Sequence, residues 1–143
     1  MADTPDSSNS ISRQCCVVFG ASGGIGSELC RQLAAQGDTV IAVGRSAEKM
    51  QRLASELGIE HAVLDAVRFE EVGACLQRLQ VQHSRIDAVV NCVGSLLLKA
   101  AHQTTEQEFA DTVSANLACG VRLVRPQSPS SDRTSRCSLS RPF

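Results

Sequence analysis

Residues 17–29, VVFGASGGIGSEL, set four glycines between an apolar run and a stretch of helical periodicity. A phosphate at the end of a strand needs close backbone approach, free N–H groups and the positive end of a helix dipole. Residues 20 to 26 offer all three. Two common phosphate loops do not fit. G-x-x-x-x-G-K-[ST] requires a lysine and a hydroxyl after its last glycine, whereas Ser27-Glu28 follows Gly26, which disfavours a nucleoside triphosphate. In G-x-G-x-x-G, counted from Gly24 and Gly26, Leu29 takes the third glycine's place. The spacing that fits is Gly20-x-x-x-Gly24-x-Gly26. A second candidate phosphate ligand is Arg45, at the end of the next apolar run, whose guanidinium can make two parallel charge-assisted bonds.

The elements that must position these residues alternate along the chain. QCCVVFG predicts a buried strand, and GIGSELCRQLAAQG a helix with Ile25, Leu29, Leu33 and Ala34 at helical spacing, stopping at Gly37. DTVIAVG is a second strand, and SAEKMQRLASELG a helix with Ser46 at its N-cap and Gly58 past its end. EHAVLD, RFEEVGACLQRLQV and IDAVVN supply a third strand, a third helix and a fourth strand. After a loop, Thr105 and Glu108 stand at capping-box spacing before a helix with Phe109, Val113, Leu117 and Val121 on one face. Successive β-α-β crossovers predict an α/β fold with a doubly wound parallel sheet of about four strands. Residues 14–124 form this domain, between tails 1–13 and 125–143 that read as disordered. The second tail is rich in serine, arginine and proline without periodicity.

GASGGIG directly after an apolar strand resembles the cofactor loop of the short-chain dehydrogenase/reductase family, and the resemblance extends over residues 15 to about 124. It implies an incomplete Rossmann fold binding a nicotinamide dinucleotide, with Gly20, Ser22, Gly24, Ile25 and Gly26 at the cofactor. In the family a basic residue ending the second strand accommodates the 2′-phosphate of NADP and an acidic one selects NAD. Arg45 therefore implies NADP, with NAD the weaker alternative. Asp65, in LDA, matches the aspartate that accepts a bond from the adenine amino group. Asn91-Cys92-Val93-Gly94 is similar to the family's N-N-A-G, which lines the adenine ribose, and departs from it at Cys92 and Val93. Asn116 matches a helix asparagine that helps position a water in the proton relay. Gly20-x-x-Gly23-x-x-Gly26 also satisfies the extended, sugar-nucleotide-modifying branch; the N-x-x-G and Asn116 favour the classical one.

Family members transfer hydride between the nicotinamide and a carbonyl or alcohol carbon, using a tyrosine whose pKa a nearby lysine lowers. This sequence contains no tyrosine, and its two lysines, Lys49 and Lys99, precede the region where the pair should lie. The expectation is a cofactor-binding portion that does not catalyse alone. The compositional break near residue 124 suggests an altered reading frame or alternative end. With no fifth strand, IDAVVN becomes an open apolar edge, through which the chain could form a homo- or hetero-oligomer. The alternative function is thus a non-catalytic subunit that pairs with a full-length relative and modulates it.

A net charge of −1 and a pI of about 6.3 leave no basic excess for nucleic acid. No run is long and apolar enough to span a membrane. The seven cysteines show no C-x-x-C and no histidine at ligand spacing, so neither metal nor disulfides are expected; buried free thiols and a cytoplasmic location are.

Overall fold

A computed structural model of the protein describes residues 13–120. The two disordered-tail expectations and Val121 lie outside that range, apart from Arg13. The elements are β1 (Cys15–Phe19), α1 (Gly24–Ala35), β2 (Thr39–Gly44), α2 (Ala47–Leu57), β3 (Glu60–Val63), α3 (Phe69–His83), β4 (Ala88–Asn91) and α4 (Glu106–Val113). A short 3₁₀ turn, Ala101–Gln103, precedes α4, and a π-helical turn, Ser114–Ala118, continues it. The four strands form one parallel sheet in the order β3-β2-β1-β4, with Val17 opposite both Ile41 and Val89. This is the expected doubly wound α/β architecture.

Every residue of β1 is buried, because the sheet is covered on both faces and a central strand alternates its side chains between them. Val17 and Phe19 pack with Ile41 and Val43 against Val72, Leu76 and Leu79 of α3. Val18, Val40 and Ala42 meet Cys30 of α1 and Met50 and Leu53 of α2 on the other face. The helix ends obey local rules. Ser46 Oγ accepts the Lys49 N–H, and Gly58 stops α2 at φ +65°. Gly37, at φ +85°, follows α1. Four residues expected on buried helix faces are exposed. Ile25 is 81% exposed, because it lies in the first turn of α1, and Cys30 takes the buried face instead. Phe109, Val113 and Leu117 share a face of α4 and its continuation, but that face is exposed; Cys119 is the buried residue there.

Five of the six described cysteines are buried and Cys92 is half-buried; Cys15, Cys16, Cys30, Cys75 and Cys92 are free thiols. Burial pushes the thiols of Cys16 and Cys30 up to about 11, with Asp38 adding to the effect at Cys16 and Cys92 at Cys30. A raised folded-state value means the protonated thiol is favoured by folding. The stability it contributes is fully present below the ordinary 9.0 and is lost as pH rises towards about 11. Urea midpoints should therefore fall across that window, and fall less steeply in Cys30→Ala. Equal slopes would contradict this.

The capping box of α4 is complete. Thr105 Oγ1 accepts from the Glu108 N–H at 3.2 Å, Glu108 Oε2 accepts from the Thr105 N–H at 2.9 Å, and Lys99 Nζ donates to both carboxylate oxygens at 3.0 Å. The Thr105 N–H, then Lys99, pull the Glu108 pKa down to about 2. Its contribution is present above the ordinary 4.5 and is lost as pH falls through about 2. The stability difference between wild type and Glu108→Gln, read from urea midpoints, should shrink over that range. A difference independent of pH would show that the ion pair does not hold the helix start.

Candidate functional site

A parallel sheet brings the C-terminal ends of its strands to one rim, and ligands bind there where the strand order reverses, here between β1 and β4. At this rim lies a cleft of about 550 Å³. Its walls come from the loop after β1 (Gly20, Ser22, Gly23), the end of β2 (Gly44, Arg45), residues 64–67 after β3, residues 92–95 after β4, and Asp111, Thr112, Ser114 and Ala115 of α4 and its continuation.

The glycines of the first loop do different jobs. Gly20, at φ +76°, and Ala21 both donate to the Val43 carbonyl, at 2.9 and 3.1 Å, which ties the loop to β2. A Cβ on Gly20 would stand 2.7 Å from the Cys92 carbonyl and 2.8 Å from the Val93 nitrogen. A Cβ on Gly26 would overlap the Gly20 carbonyl oxygen and stand 2.9 Å from the Ala21 Cα. Both glycines are therefore required by the packing of the loop itself. Gly24 is not: a Cβ there would meet nothing within 4 Å among the described residues, so no contact among them demands its bare backbone. The first N–H groups of a helix have no intrahelical acceptor. In α1 the cap is Gly23, without a side-chain bond, and the first turn carries no acidic residue. The other three α-helices each have one or two glutamates there. Only α1 among them leaves its positive end unneutralised.

Arg45 lines the same cleft, is exposed, and has no carboxylate partner among the described residues, whereas Arg31, Arg52, Arg68 and Arg85 each have one. Asp65 lies two residues beyond the end of β3 rather than within it. Its Oδ1 accepts the Val67 N–H at 3.1 Å and its carbonyl accepts the Arg68 N–H at 2.9 Å, a local turn that leaves Oδ2 without a hydrogen bond among the described residues.

Asn91 and Asn116 are not among the cleft-lining residues. Asn91 Oδ1 accepts the Val93 N–H at 3.0 Å and so shapes the turn after β4. Asn116 is saturated: Nδ2 donates to the carbonyls of Ser95 and Thr112, each at 2.8 Å, and Oδ1 accepts the Ser95 N–H at 3.2 Å. It thereby fastens the loop after β4 to the π-helical turn. Gly94 permits this approach, since a Cβ there would stand 3.0 Å from Asn116 Oδ1. Val93, larger than the family's alanine, packs against the α3-side core.

Thus Gly20, Ser22, Arg45, Asp65 and Gly94 meet in the cleft, while Gly24, Ile25 and Gly26 form the helix start beside it. Sequence reasoning did not select Ser95, Asp111, Thr112, Ser114 or Ala115. The available signal was the polar and small face of α4 that lies away from Phe109, Val113 and Leu117. Among the described residues no cluster of His, Cys, Asp and Glu could hold a metal ion, and no helix is long and apolar enough to cross a membrane.

The chain is 33% identical over 103 residues to the NADP-dependent 3-hydroxy acid dehydrogenase YdfG of Shigella flexneri, an alignment covering 70% of this chain and 42% of that protein. Its fold matches a short-chain dehydrogenase from Streptomyces avermitilis with a TM-score of 0.76 at 29% identity, over 82% of this chain and 44% of the other. The actinorhodin polyketide ketoreductase crystallised with NADPH shares the fold, with a TM-score of 0.75 at 24% identity over 80% and 46% of the two chains. The chain spans less than half the length of these three proteins. The family model described as short chain dehydrogenase matches residues 14–136, past the point near 124 where the recognisable motifs stop. The chain belongs to the short-chain dehydrogenase family.

Proposed function

We propose that this chain is the NADP-binding portion of a short-chain dehydrogenase/reductase, with residues 14–124 as the binding unit, and that it does not complete hydride transfer alone. The observation that carries the reading is the pairing of an α1 N-terminus without an acidic first turn and an Arg45 unpartnered among the described residues, on one cleft. These suit two separate phosphate groups, the pyrophosphate and the 2′-phosphate. Gly24 lets the backbone approach the first, and Asp65 Oδ2 is free to accept from the base. The name of the Shigella relative supports the phosphorylated cofactor. A bound nicotinamide would supply the hydride chemistry; this chain's residues bind and orient it. The absence of tyrosine leaves no counterpart to the family's acid/base. Calorimetric titration with adenosine 2′,5′-bisphosphate, which carries the base and the 2′-phosphate without nicotinamide, tests the reading. One saturable site that prefers it to 5′-AMP is expected; equal affinity for the two would contradict the role of Arg45. The buried thiols support the cytoplasm as the compartment.

The outer edge of β4, unpaired among the described residues, supports a second reading in which the chain is a non-catalytic subunit pairing there with a second copy or a longer relative. Light scattering across a concentration series, alone and with such a relative, tests it; a monomer throughout would rule it out.

A further inference from the structure

We infer that Asp111 is a specificity-determining residue that reads the nucleobase. This rests on the dinucleotide reading of the cleft. The cleft has one cationic lining residue, Arg45, and two acidic ones, Asp65 after β3 and Asp111 on α4, among the described residues. Asp111 is an exposed residue of α4 that borders the cleft. No Lys, Arg or His pairs with it among the described residues; its Oδ1 accepts from Gln107 Nε2 at 2.8 Å, a bond between neighbours one helical turn apart. A neutral amide orients the carboxylate without cancelling its charge, and Oδ2 keeps its acceptor capacity. Asp65 feels the charge of the nearby Arg68, but its Oδ1 accepts only the Val67 N–H and its Oδ2 has no hydrogen bond among the described residues.

Two acceptors facing one cleft ask for a ligand group with two donor hydrogens. In a dinucleotide carrying a 2′-phosphate, the base is attached to the ribose that bears that phosphate. Arg45 follows the end of β2 by one residue and Asp65 follows the end of β3 by two, and the two strands are paired, about 4.8 Å apart. The base therefore falls beside Asp65, while the nicotinamide lies beyond the pyrophosphate. The exocyclic amino group of adenine has two N–H bonds: Asp65 takes one, Asp111 the other. A 6-keto base would instead point lone pairs at two carboxylates, which is repulsive in both contacts.

The test compares NADPH with its hypoxanthine analogue, which differs at the base edge by a keto group in place of the amino group. Calorimetric titrations would use the full chain as wild type, Asp111→Asn and Glu106→Gln, the last being an acidic residue of the same helix outside this cleft. Asp111→Asn keeps a side chain of the same shape that can still pair with Gln107. Wild type is expected to prefer the adenine cofactor by at least about tenfold, and Asp111→Asn to lose about tenfold of that preference, the size of one hydrogen bond to a charged group. Glu106→Gln should leave the ratio unchanged. An unchanged ratio in Asp111→Asn overturns the inference while leaving the cofactor site standing. Equal changes in both variants would reduce it to a general field effect and overturn it too. A folded wild type that binds neither compound overturns the site reading and the inference with it.

Discussion

Arg45→Ala is expected to weaken NADPH binding by roughly 10–100-fold while leaving NADH within about threefold of the wild-type value. A guanidinium and a phosphate form two parallel charge-assisted bonds, and hydrogen bonds to charged groups contribute about 1.5–3 kcal/mol. The arginine is exposed, so the lower part of that range applies at physiological salt, and the effect should shrink as salt is added. No carboxylate among the described residues holds Arg45, so its guanidinium is available to the ligand. NADH lacks the phosphate and so lacks the contact. Equal losses for the two cofactors would mean that Arg45 acts through the fold rather than through the ligand.

Gly20→Ala and Gly24→Ala should separate stability from binding. Gly20 combines a left-handed backbone with a Cβ position 2.7 Å from the Cys92 carbonyl. The backbone strain costs about 1–2 kcal/mol, and forcing strand β4 away from the loop costs a further ~1–3 kcal/mol. Urea unfolding should show a loss of about 2–5 kcal/mol, a large share of a small domain's stability. Gly24→Ala should be stable or slightly stabilised, since alanine exceeds glycine in helices by up to about 1 kcal/mol and its methyl meets no protein atom. The same methyl would stand over the helix start where a phosphate must approach, so NADPH affinity should fall. A Gly24→Ala protein that is stable and binds normally would place the phosphate elsewhere.

Local rules made much of the fold readable. The capping residues Ser46 and Thr105, the terminators Gly37 and Gly58, and the continuous apolar runs of β1 and β2 each have a short-range cause that survives in the folded chain. What was not readable depended on which neighbour covers a surface. Ile25, Phe109, Val113 and Leu117 carry correct helical periodicity, yet periodicity states only that residues share a face, and here those residues stay exposed. The site divides the same way. The glycine spacing marked the loop, but its division into packing glycines (Gly20, Gly26) and an open one (Gly24) required the tertiary contact with β4 and the Gly20 carbonyl. Asn116 stood out as a polar residue inside a helix. That it fastens Ser95 across the loop was invisible without the distance between two segments far apart in sequence. Asp111 offered no motif; only its placement on the cleft distinguishes it from the exposed acids of the same helix.

The central claim is that this chain holds a phosphorylated nicotinamide dinucleotide across the rim of its sheet. Calorimetric titration of the folded full-length chain with NADPH and, separately, NADH tests it most directly. A single site per chain is expected to bind NADPH at least about tenfold more tightly than NADH, in line with one added pair of charge-assisted bonds. A chain that shows a cooperative unfolding transition and binds neither cofactor, or binds NADH the more tightly, would contradict it.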